Sequence, residues 1–117
     1  MDFALAPELR ALQAEATEVA RSAAARAALT EDTWIAAPDR EFSVELGNRG
    51  WLGMTWPVEA GGGGRSPLER FVVFEALIGE GAPLATSWFA DRQMGPTLLQ
   101  FGTPEQQATH LPAILDG

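Results

Sequence analysis

The sequence predicts an all-α domain, a bundle of five to six helices. Three observations carry that expectation. Strong helix formers run with apolar residues three and four apart. Two stretches, Ser66-Pro67-Leu68-Glu69 and Thr103-Pro104-Glu105-Gln106, have the pattern of a capping box with Pro at the first helical position. No segment alternates apolar and polar residues as a half-buried strand would.

The first helix is expected from Pro7 to about Ala28, with Leu9, Leu12, Ala16, Val19, Ala20 and Ala23 on one face. Pro7 suits a helix start, where its missing N–H would be unpaired anyway. The stretch TEDTWIAAPDR, which opens at Thr30, reads as a connector holding one helical turn. A second helix is expected over Asp39 to Asn48, with Phe42 and Leu46 on one face and Gly50 as its stop. The following GWLGMTWPVEAGGGG is irregular, because glycines, a proline and two tryptophans interrupt any period. Trp51 and Trp56 are expected to fill gaps between helices.

Four glycines, Gly61 to Gly64, then run into Arg65 and a helix start. Such loops can cradle phosphate on free backbone N–H groups. Here the Ser66 hydroxyl and the Glu69 carboxylate would already occupy the donors, and Pro67 removes one outright. The spacings of the nucleotide-binding glycine motifs are absent, and no strand precedes the loop. The glycines therefore read as a hinge.

The helix from Pro67 is apolar on more than one side, through Leu68, Phe71, Val72, Val73, Phe74, Leu77 and Ile78. Such a helix is either central or faces a partner surface. Glu75 within it is expected at the edge of the buried stripe, meeting an arginine. No second acid or histidine stands at helical spacing to make a catalytic pair. Leu84, Trp88 and Arg92 form one helical stripe, which Gly95-Pro96 should kink or break. The last helix, after Thr103, would bury Ala108, Leu111 and Leu115, with Pro112 ending or bending it and His110 in a structural place.

Composition excludes several function classes. The net charge is −8, and all eight basic residues are arginine, without a basic cluster for nucleic acid or an anionic membrane. No cysteine is present, so thiolate nucleophiles, disulfides and cysteine-type zinc sites are excluded, and one histidine cannot build a histidine cluster. No apolar run is long enough to span a bilayer, and MDFALAPELR lacks the layout of a signal peptide, so a cytoplasmic location is expected.

Several motifs in fixed order resemble the N-terminal helical domain of acyl-CoA dehydrogenases. They are G-W-L-G-x-x-W-P-x-E-x-G-G from Gly50, the F-E-x-L helix around Glu75, G-P-x-L-x-x-F-G-T-x-E-Q from Gly95, and the closing L-P-x-I-L-x-G. Met1 to Leu12 resembles the family's opening, so the likeness covers the whole chain.

The resemblance implies a flavoenzyme that removes α and β hydrogens from an acyl-CoA thioester of a fatty acid or a steroid side chain. A glutamate base would act at the α carbon while a hydride passes to FAD. That glutamate and nearly all flavin contacts would lie in a middle β-domain and a C-terminal helical domain, both expected after Gly117. Residues 1–117 are thus expected to be the N-terminal domain alone, without a catalytic residue, retaining no FAD and inactive by itself. Leu84, Ala85, Trp88 and Arg92 are implied as lining the blind end of the acyl cavity. An electron-transfer flavoprotein or similar acceptor, and a homo- or heterotetrameric assembly, are implied as partners. In this chain alone, the Leu84–Trp88 stripe and the central helix are expected to stay exposed and to favour weak self-association. The alternative is a stand-alone helical interaction module that keeps only this part of the fold.

Overall fold

The structure, a computed structural model, describes residues 3–28 and 30–117. Met1 and Asp2, which open the stretch matched to the family's start, and Leu29 lie outside it. The elements are α1 (Pro7–Ala24), α2 (Thr33–Ala36), α3 (Arg40–Asn48), a 3₁₀ turn (Val58–Ala60), α4 (Pro67–Gly79), α5 (Ala85–Phe89), a π turn (Ala90–Met94), α6 (Gly95–Phe101) and α7 (Pro104–Asp116). With the unbroken α5–π–α6 run counted as one, six helices stand beside the 3₁₀ turn, and no strand is present among the described residues. The all-α expectation holds.

The molecule is a slab of 39 × 39 × 21 Å. Its short dimension is about two helix diameters of ~10–12 Å. In so thin a bundle most helices keep one face at the surface, which is why Leu68, Phe71, Phe89, Met94 and Phe101 remain exposed.

α1 packs along α4. Its buried face is Ala16, Val19, Ala20 and Ala23, small side chains that let the two helices approach closely. Gln13 reaches Glu75 and Arg21 reaches Glu80, so the helices run in broadly the same direction. α4 presents Val73, Phe74, Ala76 and Leu77 to the core, joined by Phe42, Leu46, Trp51, Met54 and Leu84, and its Val72 is buried as well. Each fully buried Val, Leu, Phe or Met among them contributes about 1.5–3 kcal/mol. Trp51 and Trp56 are both buried, as packing material.

The helix ends follow from local chemistry. Both capping boxes form: Ser66 Oγ accepts from the Glu69 N–H while Glu69 accepts from the Ser66 N–H, and Thr103 and Gln106 reciprocate in the same way. Asp39 caps α3 by accepting from the Phe42 N–H at 2.9 Å. α3 and α4 both close in Schellman turns, with Gly50 (φ +69°) and Gly81 (φ +75°) in the left-handed conformation. In α3 the Trp51 N–H returns to the Leu46 carbonyl and the Gly50 N–H to Gly47, as the turn requires.

Three boundaries differ from the sequence reading. α1 ends at Ala24 rather than Ala28, its last bonds tightening as the Arg26 N–H reaches Ala23 and the Ala27 N–H reaches Ala24. A Thr30–Thr33 turn then takes over, with Thr33 Oγ1 accepting from the Thr30 N–H at 2.6 Å. Pro112 does not end α7, which continues to Asp116. The carbonyl that Pro112 fails to engage is that of Ala108, an exposed residue whose backbone can meet water. Gly95-Pro96 does not break the helix either. The chain widens into the π turn just before it, and the Gly95 N–H bonds back to the Ala90 carbonyl.

The glycine run is not a hinge. The N–H groups of Gly62, Gly63, Gly64 and Arg65 donate to the carbonyls of Pro57, Gly53, Trp56 and Met54 at 2.7–3.0 Å. The loop lies backbone-on-backbone against the Trp51–Trp56 segment. A Cβ on Gly62 would collide with the Trp56 backbone, so this approach requires glycine.

Candidate functional site: an aromatic groove over a buried ion pair

α4 carries a second face besides its core face. Pro67, Arg70, Phe71, Phe74, Glu75 and Ile78 recur at the three and four residue spacing of one stripe. Across from it stand Trp88, Asp91, Arg92 and Pro96 of the α5–π–α6 run, with Thr55 and Trp56 closing one end. Together they enclose an open groove of about 820 Å³. That volume lies within the ~300–1,000 Å³ usual for small-molecule sites. The two-sided apolar character of α4 is thereby explained: one side meets α1, the other walls the groove.

Trp88 is half-buried and wedged between aromatic rings. Its indole stands edge-on to Trp34 at 5.5 Å and 85°, and tilted to Phe74 at 5.9 Å. Such edge contacts suit the ring quadrupoles and fix the ring's orientation. The Arg92 guanidinium lies over the Trp88 ring, 5.1 Å from its centroid.

At the floor sits a buried carboxylate. Asp91 accepts from the Gly53 N–H at 2.6 Å through one oxygen and pairs with Arg70 Nη2 at 2.6 Å through the other. Its side chain is 1% exposed and that of Arg70 16%. The Arg70 guanidinium also stacks on Phe74, 4.4 Å from the ring centroid. The π turn is what carries Asp91 inward. It also brings Gly95 against Trp56 so closely that any Cβ there would fall within the indole.

Of the four residues implied as acyl-lining, Trp88 and Arg92 line the groove. Leu84 does not. It is fully buried in the core, and its N–H donates to the Trp34 carbonyl at 3.1 Å. Ala85 opens α5 outside the groove lining. The expectation that the Leu84–Trp88 stripe stands exposed is therefore corrected: the α2 turn brings Trp34 onto it. Glu75 meets not an arginine but the amide of Gln13, at 3.2 Å, because Arg70 is engaged by Asp91. His110 is exposed at the edge of a second, mostly apolar cavity of about 440 Å³ between α3, α5 and α7.

Asp91 and Arg70 were not singled out by sequence pattern. They stand 21 residues apart on different helices, and no helical spacing joins them.

Two electrostatic effects are local to the loops and helix ends. The Glu69 carboxyl is held below the usual carboxylate range, first by the Ser66 N–H, then by the Ser66 hydroxyl and Arg65. Arg21 is raised by its bond to Glu80. No group of three or more His, Cys, Asp or Glu that could hold a metal occurs among the described residues. Neither the glycine loop nor the capping-box helix starts offer free donors to a flavin's phosphates. The N–H groups of Gly62, Gly63 and Gly64 and the two capping-box helix starts, of α4 and α7, are already satisfied internally.

Residues 6–117 match the family described as acyl-CoA dehydrogenase, N-terminal domain. The chain belongs to that family. Among relatives, it is 38% identical over 91 residues to acyl-CoA dehydrogenase IpdE1 of Mycolicibacterium smegmatis, covering 70% of this chain and 23% of that protein. In structure it superimposes on the Tcur3481-Tcur3483 steroid ACAD with a TM-score of 0.82 and 35% identity, over 99% of this chain and 30% of that one. The ChsE4-ChsE5 complex from Mycobacterium tuberculosis matches with a TM-score of 0.78 and 26% identity, over 99% of this chain and 29% of that one. This acyl-CoA dehydrogenase domain thus spans under a third of the length of these relatives. No described helix is long and apolar enough to cross a membrane.

Proposed function

We propose that this domain supplies one wall of the acyl pocket in a larger, cytoplasmic FAD-dependent acyl-CoA dehydrogenase and is inactive on its own. The observation that carries this reading is the groove itself. An aromatic wall fixed by Trp34, Trp88 and Phe74 faces an open side, and its floor is held by the Arg70–Asp91 pair. Its own residues can bind and orient an apolar acyl group and exclude water from it. They provide no base positioned for catalysis, and the base and flavin belong to the rest of the enzyme in this reading.

Trp88 and Arg92 face the acyl group directly, while Leu84 backs the wall from the core and Ala85 starts the helix that bears it. The names of the relatives, a steroid ACAD among them, favour a bulky ring-bearing acyl group over a slender chain. An electron-transfer flavoprotein or similar acceptor, and assembly with like or related subunits, complete the reading.

The test is to express the whole reading frame that encodes this chain and to assay acyl-CoA-dependent reduction of a dye acceptor beside the 117-residue chain. The expected result is a flavin-bearing enzyme with turnover and a colourless, inactive short chain. A frame that stops at Gly117, or a longer product with neither flavin nor turnover, overturns the reading and favours a helical interaction module.

A further inference from the structure

The charges in the groove say more about its occupant than its shape does; this inference rests on the acyl reading above. Two guanidinium groups line the groove in opposite circumstances. Arg70, at the floor, is matched by Asp91. Arg92 makes no hydrogen bond or ion pair among the described residues, and its recorded contact is the face of Trp88. Glu75, the other acid of the groove, is engaged by Gln13 on the α1 side.

Arg92 is well hydrated while the groove is open. An occupant lying on Trp88 would displace part of that water. A guanidinium has five N–H donors and no way to shed its charge, so lost hydration must be replaced by an acceptor. A pure hydrocarbon ligand offers none. An oxygen on the ligand, in reach of the guanidinium over the Trp88 ring, replaces it with a charge-assisted hydrogen bond.

We propose that Arg92 is a specificity-determining residue that selects a rigid, apolar acyl group bearing an oxygen acceptor, either a ketone or a carboxylate. The flat of that acyl group lies against Trp88, Phe71 and Phe74, and its oxygen meets the guanidinium.

The experiment uses the full-length enzyme and three acyl-CoA thioesters of one fused-ring skeleton: with a ring ketone, with a ring carboxylate, and with neither. Wild-type kcat/KM is expected to favour an oxygenated thioester over the plain one by about 10–100-fold, as hydrogen bonds to a charged group allow. Arg92→Met should collapse that ratio toward one, and Arg92→Lys should restore part of it. A larger ratio for the carboxylate identifies an anionic partner; a larger ratio for the ketone identifies a neutral one. Thermal unfolding of the variants separates this effect from damage to the fold. An unchanged ratio in Arg92→Met, with ring thioesters still turned over, overturns this inference alone. An enzyme that turns over no acyl-CoA overturns the acyl reading and this inference with it.

Discussion

Arg70 and Asp91 pair at 2.6 Å where the floor of the groove meets the core, and the same carboxylate accepts from the Gly53 backbone. One buried acid thereby joins α4, the tryptophan loop and the π turn. Removing one partner of such a pair leaves the other charge uncompensated and costs about 3–5 kcal/mol. Asp91→Ala is expected to lose stability of that order in urea denaturation. The double variant Arg70→Met/Asp91→Leu should lose less than Asp91→Ala, because no orphan charge remains. A double variant as damaged as the sum of Arg70→Met and Asp91→Leu made singly would show that the pair is not coupled.

Gly95 lies in direct contact with the Trp56 indole. Gly95→Ala should destabilise the domain by about 1–3 kcal/mol through overpacking, even though alanine favours a helix. Trp56→Leu in the same chain should relieve part of that loss, since it removes the ring that the new methyl would strike. Chemical denaturation of the two single variants and the double one measures the coupling. Independent, additive losses would contradict the contact.

The two capping boxes make a simpler prediction. Ser66→Ala and Thr103→Ala should each lower stability by about 0.5–2 kcal/mol, from loss of one cap hydrogen bond. Unchanged denaturation midpoints in both would mean that neither cap holds its helix start.

Glu69 adds a pH dependence of known sign. Its folded-state carboxyl titrates below the usual carboxylate range, chiefly through the Ser66 N–H. The stability it contributes is fully present above the ordinary carboxylate value and is lost as pH falls through the depressed one. Thermal unfolding of wild type should therefore decline more steeply in that acid window than unfolding of Glu69→Gln. Since Glu69 is at the surface, salt should flatten the difference. Parallel acid profiles for the two proteins would contradict the assignment.

Much of the fold could be read from local signals. The capping boxes, the Gly50 stop and the Phe42–Leu46 face each depend on residues within a few positions of one another, and all appear in the structure. Trp88 and Arg92 share the groove because their four-residue spacing keeps them on one side of the helical run. What stayed hidden depends on distant chain segments. Leu84 is withdrawn because Trp34 arrives from another helix, and Asp91 turns inward only because the π turn alters the helical period before Pro96. The glycine run was misread because its need for glycine comes from the backbone of Trp56 and Met54, not from flexibility.

The central claim is that this domain's groove holds the acyl group of a larger dehydrogenase, with Trp88 as its wall. The most direct measurement is kcat/KM of the full-length enzyme and its Trp88→Ala variant on a fused-ring acyl-CoA and a short straight-chain acyl-CoA. Loss of one well-packed pocket contact shifts discrimination by about 10–200-fold. The account predicts a change of at least about tenfold in the ratio of the two substrates, with the folded state retained. An unchanged ratio in a folded, flavin-bearing variant would contradict it.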